Sequence, residues 1–97
     1  MKYRISKQAG FDLEHIWYYT YRKWSKEQAD HHYHLILSEI DFIANNFHLG
    51  KSIEGTRKNY RYTPVKSHLI FYRRSDDQVV EIIRILHKGM EIKKHIE

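Results

Sequence analysis

The spacing of apolar residues changes twice along the chain, and each change marks a different kind of element. Residues 1–6 alternate, with Tyr3 and Ile5 on one side, which predicts a short strand. From Ser6 onward, apolar or contact positions recur every three or four residues as far as Trp24. That spacing predicts a helix with Ser6 as its N-cap.

A second helix is predicted to begin at once. Ser25 is followed three residues later by Gln28, the pattern of a capping box, so the first helix is expected to end near Trp24. The apolar residues of the second helix keep the helical spacing: Ala29, Tyr33, Ile36, Leu37, Ile40, Ile43, Ala44 and Phe47. Asn45-Asn46 and Gly50 mark its end. Two helices joined so closely predict an antiparallel hairpin.

The second half of the chain predicts strands. Residues 51–59 are expected to be a loop, and residues 60–66 a strand in which Pro64 requires an edge position or a bulge. Strands over 69–73 and 79–86 follow. The last is rich in β-branched residues, and it is expected to be central because apolar residues occupy both of its faces. A short helical turn is expected within 88–97. The order β-α-α-β-β-β predicts an α+β fold in one domain, residues 1–97, with a helical hairpin on a mainly antiparallel sheet.

Composition excludes several classes of protein. The chain has 97 residues and no cysteine, so it has no disulfide framework, thiolate nucleophile or cysteine-based zinc site. It lacks the roughly 20 consecutive apolar residues of a membrane span, and its first residues do not resemble a signal peptide. We therefore expect a cytoplasmic protein without membrane contact.

Positive charge is concentrated in the second half. Residues 1–50 hold six Lys or Arg and six Asp or Glu, whereas residues 51–97 hold eleven and six. Six positive charges between residues 57 and 74 are interrupted by no acid and are interleaved with tyrosines. Guanidinium groups and aromatic rings suit a phosphate backbone or an acidic protein. The alternative is a solvated strand face above core tyrosines.

Several short motifs, in this order and spacing, resemble a known family. They are Tyr3-Arg4-Ile5-Ser6, residues 12–17 with Tyr19, the Trp-x-x-x-Gln-Ala junction at 24–29, Leu49-Gly50, and residues 57–61, 67–73 and 83–87 with Met90. Each motif alone is weak. Together they resemble ParE toxins of the RelE/ParE toxin–antitoxin superfamily over nearly the whole chain.

The resemblance implies a toxin that blocks DNA gyrase by binding and halts replication, without a cofactor. It also implies a ParD-like antitoxin that forms a hetero-oligomer with the chain, and no direct sequence-specific DNA binding. The candidate contacts with target or antitoxin are Arg57, Tyr60, Arg61, His68, Tyr72, Arg73, Arg74, Arg84, His87 and Met90.

A ribonuclease is the alternative function. RelE-type relatives cleave mRNA on the ribosome, which requires proton transfer and cations on the phosphate. Arg61, Arg84 and His87 are the residues that would serve, with His68 nearby. Such relatives usually carry a further Arg or Tyr near the C-terminus, but this chain has no Tyr after Tyr72 and no Arg after Arg84. Binding without catalysis is therefore preferred.

Two groups of helical residues permit more than one interpretation. His31 and His34, with Glu27, have a spacing that would suit a metal ion. We expect instead that His31, His32 and His34 form a polar outer face and that no metal is bound. The first helix carries Trp17, Tyr18, Tyr19, Tyr21 and Trp24. Trp17 and Trp24 are expected in the core, and Tyr18 and Tyr21 at the surface.

The aromatic residues of the first helix are also candidates for antitoxin binding. They extend around more of the helix than one buried stripe requires. An exposed aromatic patch suits a helix or strand of a partner protein. Trp17, Tyr18 and Tyr21 are therefore candidates for an antitoxin groove, with plain packing as the alternative.

Overall fold

The computed structural model describes residues 3–53 and 59–90, which form two helices packed on a five-stranded sheet. The elements are β1 (Tyr3–Ile5), α1 (Lys7–Lys23), α2 (Lys26–Asn45), a 3₁₀ turn (Phe47–Leu49), β2 (Lys51–Ser52), β3 (Tyr60–Val65), β4 (His68–Arg74) and β5 (Val80–His87). The strand order is β1-β5-β4-β3-β2. β1 runs parallel to β5, and the other pairs are antiparallel. The α+β fold predicted from the sequence is confirmed.

Serine caps begin both helices where the sequence predicts them. The Ser6 hydroxyl accepts a hydrogen bond from the Ala9 amide at 3.0 Å, and the Ser25 hydroxyl accepts one from the Gln28 amide at 3.1 Å. Each bond satisfies an amide that the helix itself leaves without a partner. Ser6 also donates to the Ile83 carbonyl at 2.8 Å, so the start of α1 is tied to β5.

The irregularity of the sheet lies in β5. Phe71 faces Arg84 and Tyr72 faces Ile82, so Ile83 has no opposite residue and forms a bulge. The β3–β4 register runs unbroken through Pro64, which faces Leu69. In the described part of the chain, β2 pairs only with residues 61 and 62 of β3. Pro64 therefore lies at an edge of the sheet. An edge position was one of the two alternatives predicted for it, the other being a bulge.

Two apolar clusters lie on opposite faces of the sheet. The larger one joins the helices to the sheet and includes Leu13, Ile36, Ile40, Ile70 and Ile82. The smaller one contains Ile53, Phe71 and Leu86, with Tyr60, Tyr62 and Leu69 packed against it. The smaller cluster lies on the face of the sheet opposite the helices, so that face is partly apolar.

Several sequence predictions need correction or limitation. Phe47 lies in the 3₁₀ turn rather than in the second helix, because Asn46 ends α2 with a non-helical backbone. Trp24 is 70% exposed rather than buried, because it follows the last residue of α1 with a non-helical backbone and leaves the buried stripe. The predicted loop begins with strand β2. A turn follows β5 through Met90, and the remaining predicted helical turn lies outside the described residues. Within the described residues, neither helix is long and apolar enough to cross a membrane.

Candidate interaction site

Arg84 is held by Asp12 of α1. Its Nε and Nη2 donate to the two carboxylate oxygens at 2.8 and 3.0 Å, and the Ile85 amide donates to the same carboxylate at 2.9 Å. Both side chains are mostly buried. The hydrogen bonds to Asp12 raise the pKa of Arg84 above its usual value. Arg84 therefore joins β5 to α1, and this face of its guanidinium is not open to a substrate phosphate.

Three histidines from three elements form a row. The β4–β5 pairing places His68 opposite His87, with ring centroids 5.6 Å apart in an edge-to-face arrangement. From α2, the His32 Nε2 atom lies 3.4 Å from Nδ1 of His68. His32 is partly buried and so differs from the exposed His31 and His34. Of the three histidines expected on the polar outer face of α2, His31 and His34 therefore lie there and His32 does not.

The surroundings of His68 and His32 disfavour the charged forms of these two side chains. Burial is the main cause that lowers the pKa of His68 to about 4, and neighbouring His32 and His87 add to the effect. Burial also lowers the pKa of His32, with smaller contributions from Lys66 and His31. Both imidazoles are therefore neutral at pH 7 in the free chain.

The basic stretch is divided between the two faces of the sheet. Arg61 faces Tyr72 across the β3–β4 pair, whereas Arg73 faces Tyr60, so strand alternation sends Arg61 and Arg73 to opposite sides. Arg73 donates to Glu81 at 2.9 Å. The charges counted along the sequence therefore do not form one positive face. Arg57 lies outside the described residues.

Arg61 and Arg74 meet over one aromatic ring. Their guanidinium carbons lie 5.4 and 4.3 Å from the centroid of Phe47. Arg61 also donates to the Gly50 carbonyl at 2.7 Å. The Nε of Arg74 is buried and has no hydrogen-bond partner among the described residues. Cation–π contact thus holds two positive groups beside the 3₁₀ turn.

Tyr72 and Met90 occupy very different environments. Tyr72 is fully buried, and its hydroxyl donates to the Phe47 carbonyl at 2.8 Å. It is a core residue here, which corrects its place among the candidate surface contacts. Met90 is exposed in the turn after β5, and Tyr60 packs partly buried against the smaller apolar cluster.

The aromatic residues of α1 form an outward strip. Trp17 stacks on Tyr21 with centroids 5.2 Å apart, and its indole donates to Asp30 of α2 at 2.9 Å. Tyr18 and Tyr19 are exposed and carry Arg22 and Lys23 respectively against their rings. Tyr18 and Tyr21 are surface residues, as predicted, whereas Trp17 is half-buried and is not part of the buried core in which it was expected.

Two grooves flank this strip. The larger, of about 1260 Å³, lies between the helical hairpin and the ends of β4 and β5, and contains the histidine row. The smaller, of about 720 Å³, runs over Trp17, Asp30 and Tyr33. Tyr18 borders both. The larger groove could not be predicted from local spacing, because its residues come from both helices and two strands. The eight histidines in 97 residues were the one signal of it in the sequence.

No cluster of three or more His, Asp or Glu side chains in the described ranges is arranged to hold a metal ion. The candidate site combines grooves, aromatic rings and cations. Aromatic and arginine side chains are enriched on surfaces that contact other proteins.

Comparison with known proteins identifies the family. Residues 3–92 match the family model of the ParE toxin of the type II toxin–antitoxin system parDE. Toxin ParE1 of Caulobacter vibrioides is 37% identical over 94 residues, which cover 97% of this chain and 96% of that protein. Toxin ParE1 of Mycobacterium tuberculosis is 30% identical over 95 residues, covering 98% and 97%.

A solved structure has the same fold. A chain from the chromosomal ParDE toxin–antitoxin system of P. aeruginosa superimposes with a TM-score of 0.77, covering 90% of this chain and 95% of that one, at 16% identity. The match over residues 3–92 and the two ParE1 relatives show that the chain belongs to the family of ParE toxins of type II toxin–antitoxin systems.

Proposed function

We propose that this ParE-family toxin inhibits DNA gyrase by binding it, and that a ParD-like antitoxin neutralises the toxin. The match to the ParE family over residues 3–92 is the observation that carries the proposal. We also propose that the chain acts in the cytoplasm, where it would encounter DNA gyrase.

The arrangement of Arg84 supports binding over catalysis. A ribonuclease requires cations free to approach the scissile phosphate. Here Asp12 takes two of the donor atoms of Arg84, and Arg61 is engaged by Gly50 and Phe47. Two of the three residues proposed for catalysis, Arg61 and Arg84, are therefore engaged in separate structural contacts.

A supercoiling reaction tests the gyrase proposal. The purified chain is mixed with gyrase, ATP and relaxed plasmid, and the products are resolved on a gel. We expect supercoiling to fall and cleaved plasmid to accumulate as the chain is added. Full supercoiling with an excess of chain that circular dichroism shows to be folded would contradict the proposal.

A matched pair of variants tests whether the cations over Phe47 contribute. Arg74→Gln removes a guanidinium whose Nε has no acceptor among the described residues. Arg73→Gln makes the same change of charge one residue away, where the guanidinium already binds Glu81. We expect Arg74→Gln to raise the concentration needed for half-inhibition severalfold, and Arg73→Gln to change it little. Equal effects would remove this site from the proposal.

The antitoxin is proposed to be a small protein with an acidic segment that folds on the toxin. Co-expression of the chain with the protein encoded beside it should restore growth and give a complex on size-exclusion chromatography. Absence of both, with both proteins folded and expressed, would contradict the partnership.

The ribonuclease alternative has its own test. Purified ribosomes and a defined mRNA are incubated with the chain, and cleavage is mapped by primer extension. Our proposal expects no site-specific cleavage. Cleavage that is lost in His87→Ala would replace gyrase binding with ribosome-dependent catalysis.

A further inference from the structure

The larger groove carries positive and titratable groups but no carboxylate among its described lining residues. Five histidines line it: His15, His31, His32, His68 and His87. Three permanently charged residues, Arg22, Lys23 and Lys66, join them. A groove with one sign of charge focuses its field and favours an anionic occupant.

One wall of the groove is aromatic and lies open to solvent. Tyr18, Tyr19 and Trp24 are all more than half exposed, and Trp24 is the most exposed of them. Exposed aromatic rings of this size are typical of surfaces that a partner covers. An occupant that matches both features would combine acidic groups with apolar side chains, which is the chemistry of an amphipathic acidic peptide.

We propose that the larger groove binds an acidic segment of the antitoxin and that the His32–His68 pair takes up a proton when the segment is in place, so that the complex tightens as the pH falls. This inference rests on the antitoxin partnership proposed above and adds a location and a pH dependence to it.

The physical basis is a change in the charges that surround His68. In the free chain its ring lies between His32 on α2 and His87 on β5, with Lys66 in the turn before β4 and His31 near His32. Asp12 of α1 is the carboxylate that acts on it, and Asp12 is bonded to Arg84 and the Ile85 amide. The free groove therefore disfavours imidazolium.

A bound carboxylate reverses this balance. It supplies a negative charge that stabilises the protonated imidazole, so the pKa values of His32 and His68 rise on binding. A group whose pKa is higher in the complex takes up a proton on association, and affinity increases as pH falls through the pKa of the bound form. The increase continues towards the pKa of about 4 that His68 has in the free chain.

Calorimetry of the whole toxin with the protein encoded beside it tests the inference. Titrations at pH 8, 7 and 6 in two buffers of different ionisation enthalpy, with EDTA present to exclude metal binding, give both affinity and proton uptake. We expect up to one proton taken up and an affinity that rises by as much as about tenfold per pH unit. The antitoxin's own titration is common to all toxin variants.

Histidine variants assign the proton. His68→Gln and, separately, His32→Gln should flatten the pH dependence and reduce proton uptake. His34→Gln is the matched control, because His34 is exposed on the same helix and lies outside the larger groove. We expect it to behave as the unchanged toxin. A pH dependence that survives in both groove variants would overturn the inference.

The fluorescence of Trp24 tests the location. In Trp17→Phe the remaining tryptophan is Trp24, which borders the larger groove. We expect its emission to shift to shorter wavelength when the antitoxin is added, because the segment covers the ring. Binding with unchanged Trp24 emission would place the segment elsewhere and overturn the inference, while the antitoxin partnership itself would stand. No binding at any pH would contradict that partnership.

Discussion

Asp12 of α1 and Arg84 of β5 form a two-pronged ion pair, with Nε–Oδ2 and Nη2–Oδ1 distances of 2.8 and 3.0 Å. β1 accompanies β5 only as far as Ile82, so the next residues of β5 need other partners. Ser6 binds the Ile83 carbonyl, and Asp12 binds the Ile85 amide. The side chains of Ser6 and Asp12 thus make the hydrogen bonds to β5 that a longer β1 strand would otherwise make.

Asp12→Ala should destabilise the chain by about 2–4 kcal/mol, because it leaves the mostly buried Arg84 charge and the Ile85 amide unpaired. Urea unfolding followed by circular dichroism measures the change. Lys26→Ala removes one partner of the exposed Lys26–Asp30 pair and should have little effect. Equal losses in the two variants would show that burial of the Asp12–Arg84 pair is not what matters.

Gly50→Ala should destabilise the chain by about 1–3 kcal/mol, the usual cost of overpacking. A Cβ at residue 50 would overlap the hydroxyl and ring of Tyr72, which is fully buried. Thermal unfolding measures the effect. Gly10→Ala is the control, since a Cβ there meets nothing within 4 Å and Gly10 lies inside α1.

The control should itself stabilise the chain by about 0.5–1 kcal/mol, because alanine favours the helix more than glycine does. If Gly50→Ala were neutral, Tyr72 would not be packed against that backbone as the structure has it.

Stability should decrease as pH falls from about 6.5 towards 4, a window set by His68. Its pKa is about 4 in the folded chain and about 6.5 when unfolded. Between these values the unfolded chain binds more protons, so acid favours unfolding, and stability is fully present above the unfolded value.

Urea midpoints at pH 7.5 and 5 check this dependence. His68→Gln should reduce the difference between the two midpoints, and His34→Gln should leave it unchanged. An unaltered difference in His68→Gln would assign the acid sensitivity to other groups.

The two tryptophans should differ in fluorescence. With Trp17→Phe, the exposed Trp24 should emit at long wavelength and be quenched strongly by acrylamide. With Trp24→Phe, Trp17 should be quenched less, because it stacks on Tyr21 and binds Asp30. Similar quenching constants in the two variants would contradict the placement of Trp24 outside the core.

The helix starts and the order of the longer elements were predictable because their causes are local. A serine cap acts on an amide three residues away, and the 3.6-residue spacing of Ile36, Ile40 and Ile43 is visible within one helix. The β2 strand has only two residues, Lys51 and Ser52, too few for an alternating pattern to indicate it.

The candidate site was only partly predictable. His68 and His87 share a β-pair, so the sequence could bring them together, but His32 meets His68 only because α2 packs over β4. The count of positive charges along residues 57–74 also wrongly suggested one positive face. Neighbouring residues of a strand point to opposite faces, and Glu81 of the next strand pairs with Arg73.

Residue type and short-range spacing thus predict two capped amphipathic helices, three main strands and the resemblance to ParE toxins. They do not predict that Arg84 binds Asp12, that Trp24 is exposed or that five histidines share one groove. Contacts between residues far apart in the chain depend on how the elements pack, and local spacing does not contain that information.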